Sequence, residues 1–178
     1  MTTRDEALAE QAKQYLSFCF GGSQYGVSIL RVKEILQYDQ VTAVPGTPAS
    51  VRGVVNVRGT AIPILDLGVK LGKPEVAVTN RTCVLVVETT LEGQPLTLGL
   101  IADEVNEVVD LRGEEVLPPP TFGPGIKVSY LEGMAMSKGG HGFVLLLDLD
   151  RVLSASDAEL VAFTLSAESA DRMSGAAP

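Results

Sequence analysis

The sequence predicts an all-β (mainly β) fold in which two small related barrels pack around a shared core, with only short helices. Three features point that way. Val and Leu number 22 each among 178 residues and fall in short runs. Gly, Pro, Asn and Asp punctuate those runs, as turn residues do between strands. Several motifs also recur in the same order along the chain. Short strands at this spacing fit barrels or sandwiches better than an alternating α/β fold.

In chain order, strands are expected at Tyr15–Phe20, Tyr25–Ile29, Gly53–Arg58, Ala61–Leu65, Thr82–Glu88, Leu96–Ala102, Val105–Val109, Leu131–Met136 and Phe143–Leu147. Ile29, Val32, Ile35 and Leu36 recur at helical spacing and predict one brief helical stripe. Asp66 and Asp148 each precede a Leu-rich turn and read as N-caps. Ser156 and Glu159 form a capping box ahead of Leu160, Val161 and Phe163, which predicts a short C-terminal helix. Beyond Leu165 the chain turns to Ser, Ala and Gly, a composition expected to stay disordered.

The recurring motifs suggest a duplicated unit. Gly26-Val27 and Val32-Lys33-Glu34-Ile35 return as Gly99-Leu100 and Val105-Asn106-Glu107-Val108. Val44-Pro45 returns as Leu117-Pro118, and Val51-Arg52-Gly53-Val54 as Leu131-Glu132-Gly133-Met134. Asp66-Leu67 and Leu71 return as Asp148-Leu149 and Leu153, and Leu16–Phe20 matches Cys83–Val87. Collinear matches favour duplication over chance recurrence in a Val-rich chain. The organisation expected is a flexible N-terminal segment (1–13), a first barrel (14–80), a second barrel (81–153), a C-terminal helix (154–165) and a tail (166–178). Two small barrels sharing a core leave a seam, and seams are where partners bind.

Charge and composition narrow the function classes. Residues 14–80 hold six Lys and Arg against four acids, and residues 81–153 five against eleven, within a net charge of −8. Halves of opposite sign suggest two different protein-facing surfaces. No basic stripe is present, so nucleic acid is not an expected partner. No apolar run reaches the roughly 18–20 residues that cross a bilayer, and Met1–Lys13 lacks the apolar stretch of a secretory signal. Cys19 and Cys83 sit in apolar runs without a CxxC, as reduced residues of a cytoplasmic protein do.

Catalytic machinery is not legible. His141 lies in the Gly-rich stretch Lys138–Gly142, which reads as a hairpin turn, and Glu114-Glu115 reads as a solvated turn. Gly21-Gly22 and Gly139-Gly140 are turn signals rather than a phosphate loop. No Cys/His set has metal-ligand spacing, so neither a metal nor a cofactor is expected. Arg58 is the informative residue. It ends an apolar strand ahead of Gly59 and calls for a carboxylate or carbonyl partner. An internal brace and a partner contact fit it equally. Val32, Ile35 and Leu36 either close the first barrel or face a partner.

The run Gln24–Ile35, then Tyr38–Thr42, Thr47-Pro48, Gly53-Val54-Val55-Asn56-Val57-Arg58-Gly59 and Ile62-Pro63-Ile64-Leu65-Asp66-Leu67, resembles the CheW family of bacterial chemotaxis coupling proteins. The resemblance continues through Gly99–Val105, Val116-Leu117-Pro118, Tyr130–Gly133 and Leu145–Leu153, and so covers residues 14 to about 163. It implies two SH3-like five-stranded barrels related by a pseudo-twofold duplication, and no catalysis. It also implies a cytoplasmic adaptor, recruited to membrane-associated arrays without inserting into the membrane. Such an adaptor joins the tips of methyl-accepting chemoreceptors to the regulatory domain of the histidine kinase CheA. Matching positions put Val32, Ile35 and Arg58 at or near a receptor groove, and Val41, Thr42, Arg52 and Gly53 in the kinase-facing region. The chain departs from the family pattern in a longer Thr89–Gly93 loop and a Ser/Ala-rich tail. The alternative kept open is a small-ligand-binding β-barrel, which would need a polar interior.

Overall fold

The computed structural model describes residues 12–72, 74–75, 77–91, 93–119, 130–138, 140 and 142–152. His141, residues 120–129, the C-terminal helix expected at 154–165, its capping box and the tail lie outside these residues. So does the N-terminal segment up to residue 11, whereas Lys13 already belongs to the first strand.

Ten strands are present among the described residues. β1 (Lys13–Phe20) and β2 (Ser23–Ser28) lead through a 3-10 turn (Ile29–Arg31) to β3 (Val32–Gln37). β4 (Val51–Val57) and β5 (Thr60–Leu65) end in a short helix, Leu67–Lys70. The same series follows with β6 (Cys83–Leu91), β7 (Gln94–Ala102), β8 (Glu104–Leu111), β9 (Leu131–Met136), β10 (Phe143–Leu147) and a second short helix, Leu149–Val152. All nine expected strands are found. The tenth, β3, corrects the helical reading of Ile29–Leu36. Helical geometry is confined to the 3-10 turn, and Val32–Gln37 alternates half-buried and exposed residues while pairing antiparallel with β6. Apolar residues at 32, 35 and 36 suit either period over so short a window.

The strands form two five-stranded sheets, ordered β8-β1-β2-β10-β9 and β3-β6-β7-β5-β4. The two orders are the same under exchange of the repeats. In each, a hairpin from one repeat (β1–β2 or β6–β7) receives the last three strands of the other. Even the parallel pairs correspond, β10 with β2 and β5 with β7. The residues expected as a first barrel, 14–80, therefore contribute to both sheets, as do residues 81–153. Register also adjusts one repeat match. Ser17 stands opposite Gly26 and Val86 opposite Gly99, so Ser17 corresponds to Val86 rather than Val84, a slip that keeps the same face.

Regrouping the strands changes the charge argument. Residues 32–102, which make one sheet, carry six basic and six acidic residues. Residues 13–31 with 103–152, which make the other, carry six and nine. The opposite signs of the sequential halves do not become opposite signs of the barrels.

One buried cluster spans both sheets, from Phe18, Phe20 and Tyr25 to Ile64, Leu85, Val87 and Leu100. Phe20 and Tyr25 stack at 3.9 Å between ring centroids. Each fully buried Leu or Phe contributes roughly 1.5–3 kcal/mol, so the shared interior holds the two barrels together. Asp66 caps the first short helix, its Oδ1 accepting the Val69 N–H at 3.3 Å, and the Asp148 carbonyl accepts from Arg151 and Val152 at 3.0 Å. The expected capping aspartates are both in place.

Candidate partner-binding surfaces

The β4–β5 hairpin turns on two residues, Arg58 and Gly59, with Val57 paired to Thr60. Both turn residues have positive φ, 52° and 86°, which is the backbone of a type I′ turn. Asn56 Oδ1 accepts the Gly59 N–H at 2.8 Å. That bond and the glycine explain why Asn-x-Arg-Gly belongs together. Arg58 occupies a left-handed position that costs a non-glycine residue about 1 kcal/mol or more.

This geometry revises the expectation for Arg58. Its side chain is 84% exposed at the turn and reaches Glu34 on β3, with Nη2 3.2 Å from Oε2. It is no buried brace. Together with Lys33, Glu34, Val57, Ile62 and Thr97 it rims a cavity of about 250 Å³ at the mouth of its barrel. Ile35 points the other way, 46% exposed over a cleft with Gln37, Arg81, Glu104 and Val105. Val32 is half-buried and packs on the core. The structure brings Arg58 together with Glu34, and not with Ile35 or Val32.

The second expected group sits around β4. Thr42 and Val54 exchange backbone bonds of 2.8 and 2.9 Å, so the 41–43 segment lies along the β4 edge. Gly53, at φ 147°, lies directly under it, and a Cβ there would overlap the Thr42 carbonyl. Thr42 is exposed and Val41 half-buried against the core. Arg52 turns inward, with Nη1 3.1 Å from Oδ2 of the fully buried Asp66. Its guanidinium neutralises the cap of the first short helix. Arg52 and Gly53 thus shape this edge from within, and Thr42 is the member that faces solvent.

Two groups were not anticipated. Glu34 is the carboxylate that Arg58 requires, and the repeat contained the signal: Lys138 and Glu107 stand at the matching places of the other barrel and form the same pair at 3.1 Å. Asp150 gathers three donors, from Thr89 Oγ1 (2.7 Å), the Thr90 N–H (2.9 Å) and Arg31 Nη2 (3.0 Å). Burial alone would raise its carboxyl, but these bonds outweigh burial and hold it below the ordinary range. Thr89 and Thr90 belong to β6, and Leu91 pairs directly with Gln94. The supposed Thr89–Gly93 loop is mainly an extension of the β6–β7 hairpin. Burial and a 2.6 Å bond to Glu132 push the Tyr15 hydroxyl above its ordinary value.

Among the described residues, no group of His, Cys, Asp and Glu is arranged to hold a metal, and no helix is long and apolar enough to cross a membrane. What the molecule offers outward is ion-paired barrel mouths, a sheet edge and exposed apolar side chains such as Leu30 and Ile35. These are the means of a protein-binding adaptor or scaffold. A family model described as the CheW-like domain matches residues 14–157, and the chain belongs to that family. The chemotaxis protein CheW of Klebsiella aerogenes is 36% identical over 149 residues, covering 84% of this chain and 86% of that one. Protein FrzA of Myxococcus xanthus is 32% identical over 161 residues, 89% and 98% of the respective chains. The crystal structure of the scaffolding protein TtCheW from Thermoanaerobacter tengcongensis matches with a TM-score of 0.69 at 27% identity, covering 81% of this chain and 89% of that one.

Proposed function

We propose that the protein is a non-catalytic chemotaxis adaptor. It couples the cytoplasmic tips of transmembrane chemoreceptors to the regulatory domain of the histidine kinase CheA, and is recruited from the cytoplasm to membrane-associated arrays. The observation that carries this reading is membership of the CheW-like family across both barrels, residues 14–157. The geometry supports a division of labour. The mouth with Arg58 and Glu34, together with Val32 and Ile35, serves the receptor. The β4 edge with Val41 and Thr42, shaped by Arg52 and Gly53, serves the kinase. The two groups use different residues, Arg58 and Glu34 at the cavity and Thr42 on the β4 edge, and on this reading both partners are held at once.

The shared core offers a small ligand no polar space. Phe18, Ile64, Leu85, Leu98, Leu100 and Leu146 fill the barrels and are at most 2% exposed.

The test is a pair of titrations, one with a soluble receptor-tip fragment and one with the kinase regulatory domain, each repeated with the other partner at saturation. An adaptor binds both and keeps binding each in the presence of the other. Mutually exclusive binding, or no binding to either, overturns the proposal.

A further inference from the structure

The 3-10 turn Ile29–Arg31 carries the chain from one sheet to the other, and none of its three residues is buried. Leu30, at its centre, is 91% exposed. Ile29 packs half-buried against the core at the start of the turn, and a tether holds its other end. The tether is Arg31. It reaches Asp150 on the second short helix at 3.0 Å, and Asp150 in turn accepts from Thr89 and Thr90 on β6. Thr89 is buried, so the chain of bonds ends on a rigid strand. The crossover, the helix that follows β10 and the extended β6–β7 hairpin meet at one carboxylate.

The other crossover, from β7 to β8, is built differently. Asp103 stands where Leu30 does, and its carboxylate accepts the Gly21 N–H at 2.9 Å. Glu104 replaces Arg31, and Gly68 replaces Asp150. There Glu104 pairs with Arg81 at 3.9 Å, so the bond to the short helix belongs to the crossover that presents an apolar side chain.

We propose that Arg31, Asp150 and Thr89 form a one-sided clasp that fixes the Ile29–Arg31 crossover and so positions Leu30 and Val32 for the chemoreceptor. This rests on the adaptor reading above. The three are positioning residues: they hold the binding segment without themselves supplying the apolar contact.

Backbone relaxation and receptor affinity, measured on the full chain with Arg31→Ala, Arg31→Lys and Asp150→Ala, decide it. In Arg31→Ala, order parameters of residues 29–32 should fall from about 0.85 toward about 0.6. Receptor-tip affinity should drop on the order of two- to five-fold, the scale of a half-exposed ion pair. Kinase affinity should stay constant, and Arg31→Lys should restore most of both losses. Unchanged order at 29–32 in Arg31→Ala overturns the clasp, even if Asp150→Ala fails to fold. A loosened turn with undiminished receptor affinity overturns the positioning role. If the wild-type protein binds no receptor tip, the adaptor reading falls and the order parameters alone decide whether the clasp exists.

Discussion

In the β4–β5 hairpin, Arg52 turns inward to the buried Asp66, and Gly53 lies against the Thr42 carbonyl. In the β9–β10 hairpin, Glu132 stands where Arg52 does and accepts a bond from Tyr15, while Asp148 pairs with the exposed Arg151 and accepts the Asp150 N–H. Gly133 repeats Gly53, under Leu117 in place of Thr42. The backbone framework is duplicated, but the charges wired onto it are not. Duplication preserves what the fold needs, such as a glycine beneath a crossing strand and a cap on a short helix. It leaves side-chain chemistry free to diverge toward different surfaces.

The sharpest way to break this comparison is at the paired glycines. Gly53→Val meets both a positive φ and backbone overlap, so it should cost on the order of 3–5 kcal/mol, combining strain with overpacking. Gly133→Val also meets a carbonyl, that of Leu117, and the Val116 side chain, but less closely than Gly53 meets Thr42 and without a positive φ, and should cost about 1–3 kcal/mol. Denaturant unfolding of both variants gives the ranking. Equal losses would show that the φ at Gly53 carries no weight.

The paired charges come next. Arg52→Ala leaves Asp66 buried without this partner and should destabilise by about 3 kcal/mol or somewhat more. Glu132→Ala leaves only the Tyr15 hydroxyl without its acceptor, about 1–3 kcal/mol. A smaller loss at Arg52 than at Glu132 would contradict the inward wiring of the first hairpin.

Much of this framework was legible in the sequence. Strand positions followed from short Val-rich runs between turn residues, and the capping role of Asp66 and Asp148 from their place in the repeat. The repeat carries the signal for β3 as a strand. Val32-Lys33-Glu34-Ile35 matches Val105-Asn106-Glu107-Val108, and the latter already read as a strand. What local sequence could not contain was the exchange of strands between repeats, because it depends on which hairpin β3 and β8 choose. The boundary at residue 80 and the charge contrast fell with it. For Arg58 the sequence leaves brace and partner contact equally open, because an apolar strand end does not reveal the I′ turn that carries its side chain into solvent.

A smaller effect concerns Asp150. Its folded carboxyl titrates below the ordinary value of 3.8. It therefore favours folding above that value, and the contribution is lost as pH falls through the folded value. Wild type should begin to lose its margin over Asp150→Asn as pH falls below about 5 and go on losing it below the ordinary value of 3.8, which thermal melts at descending pH can follow. A constant margin would show that the Arg31 and threonine bonds are not formed in solution.

The most direct test compares the two copies of one ion pair, Arg58–Glu34 and Lys138–Glu107. Both cations are well exposed, so Arg58→Ala and Lys138→Ala should each shift stability by less than about 1 kcal/mol. Receptor-tip affinity, measured by titration on both folded variants, should fall about ten-fold or more for Arg58→Ala, as for a lost charge-assisted bond. It should stay within about two-fold for Lys138→Ala. Equal losses from both, or none from Arg58→Ala, would contradict the assignment of the receptor site to the Arg58 barrel mouth.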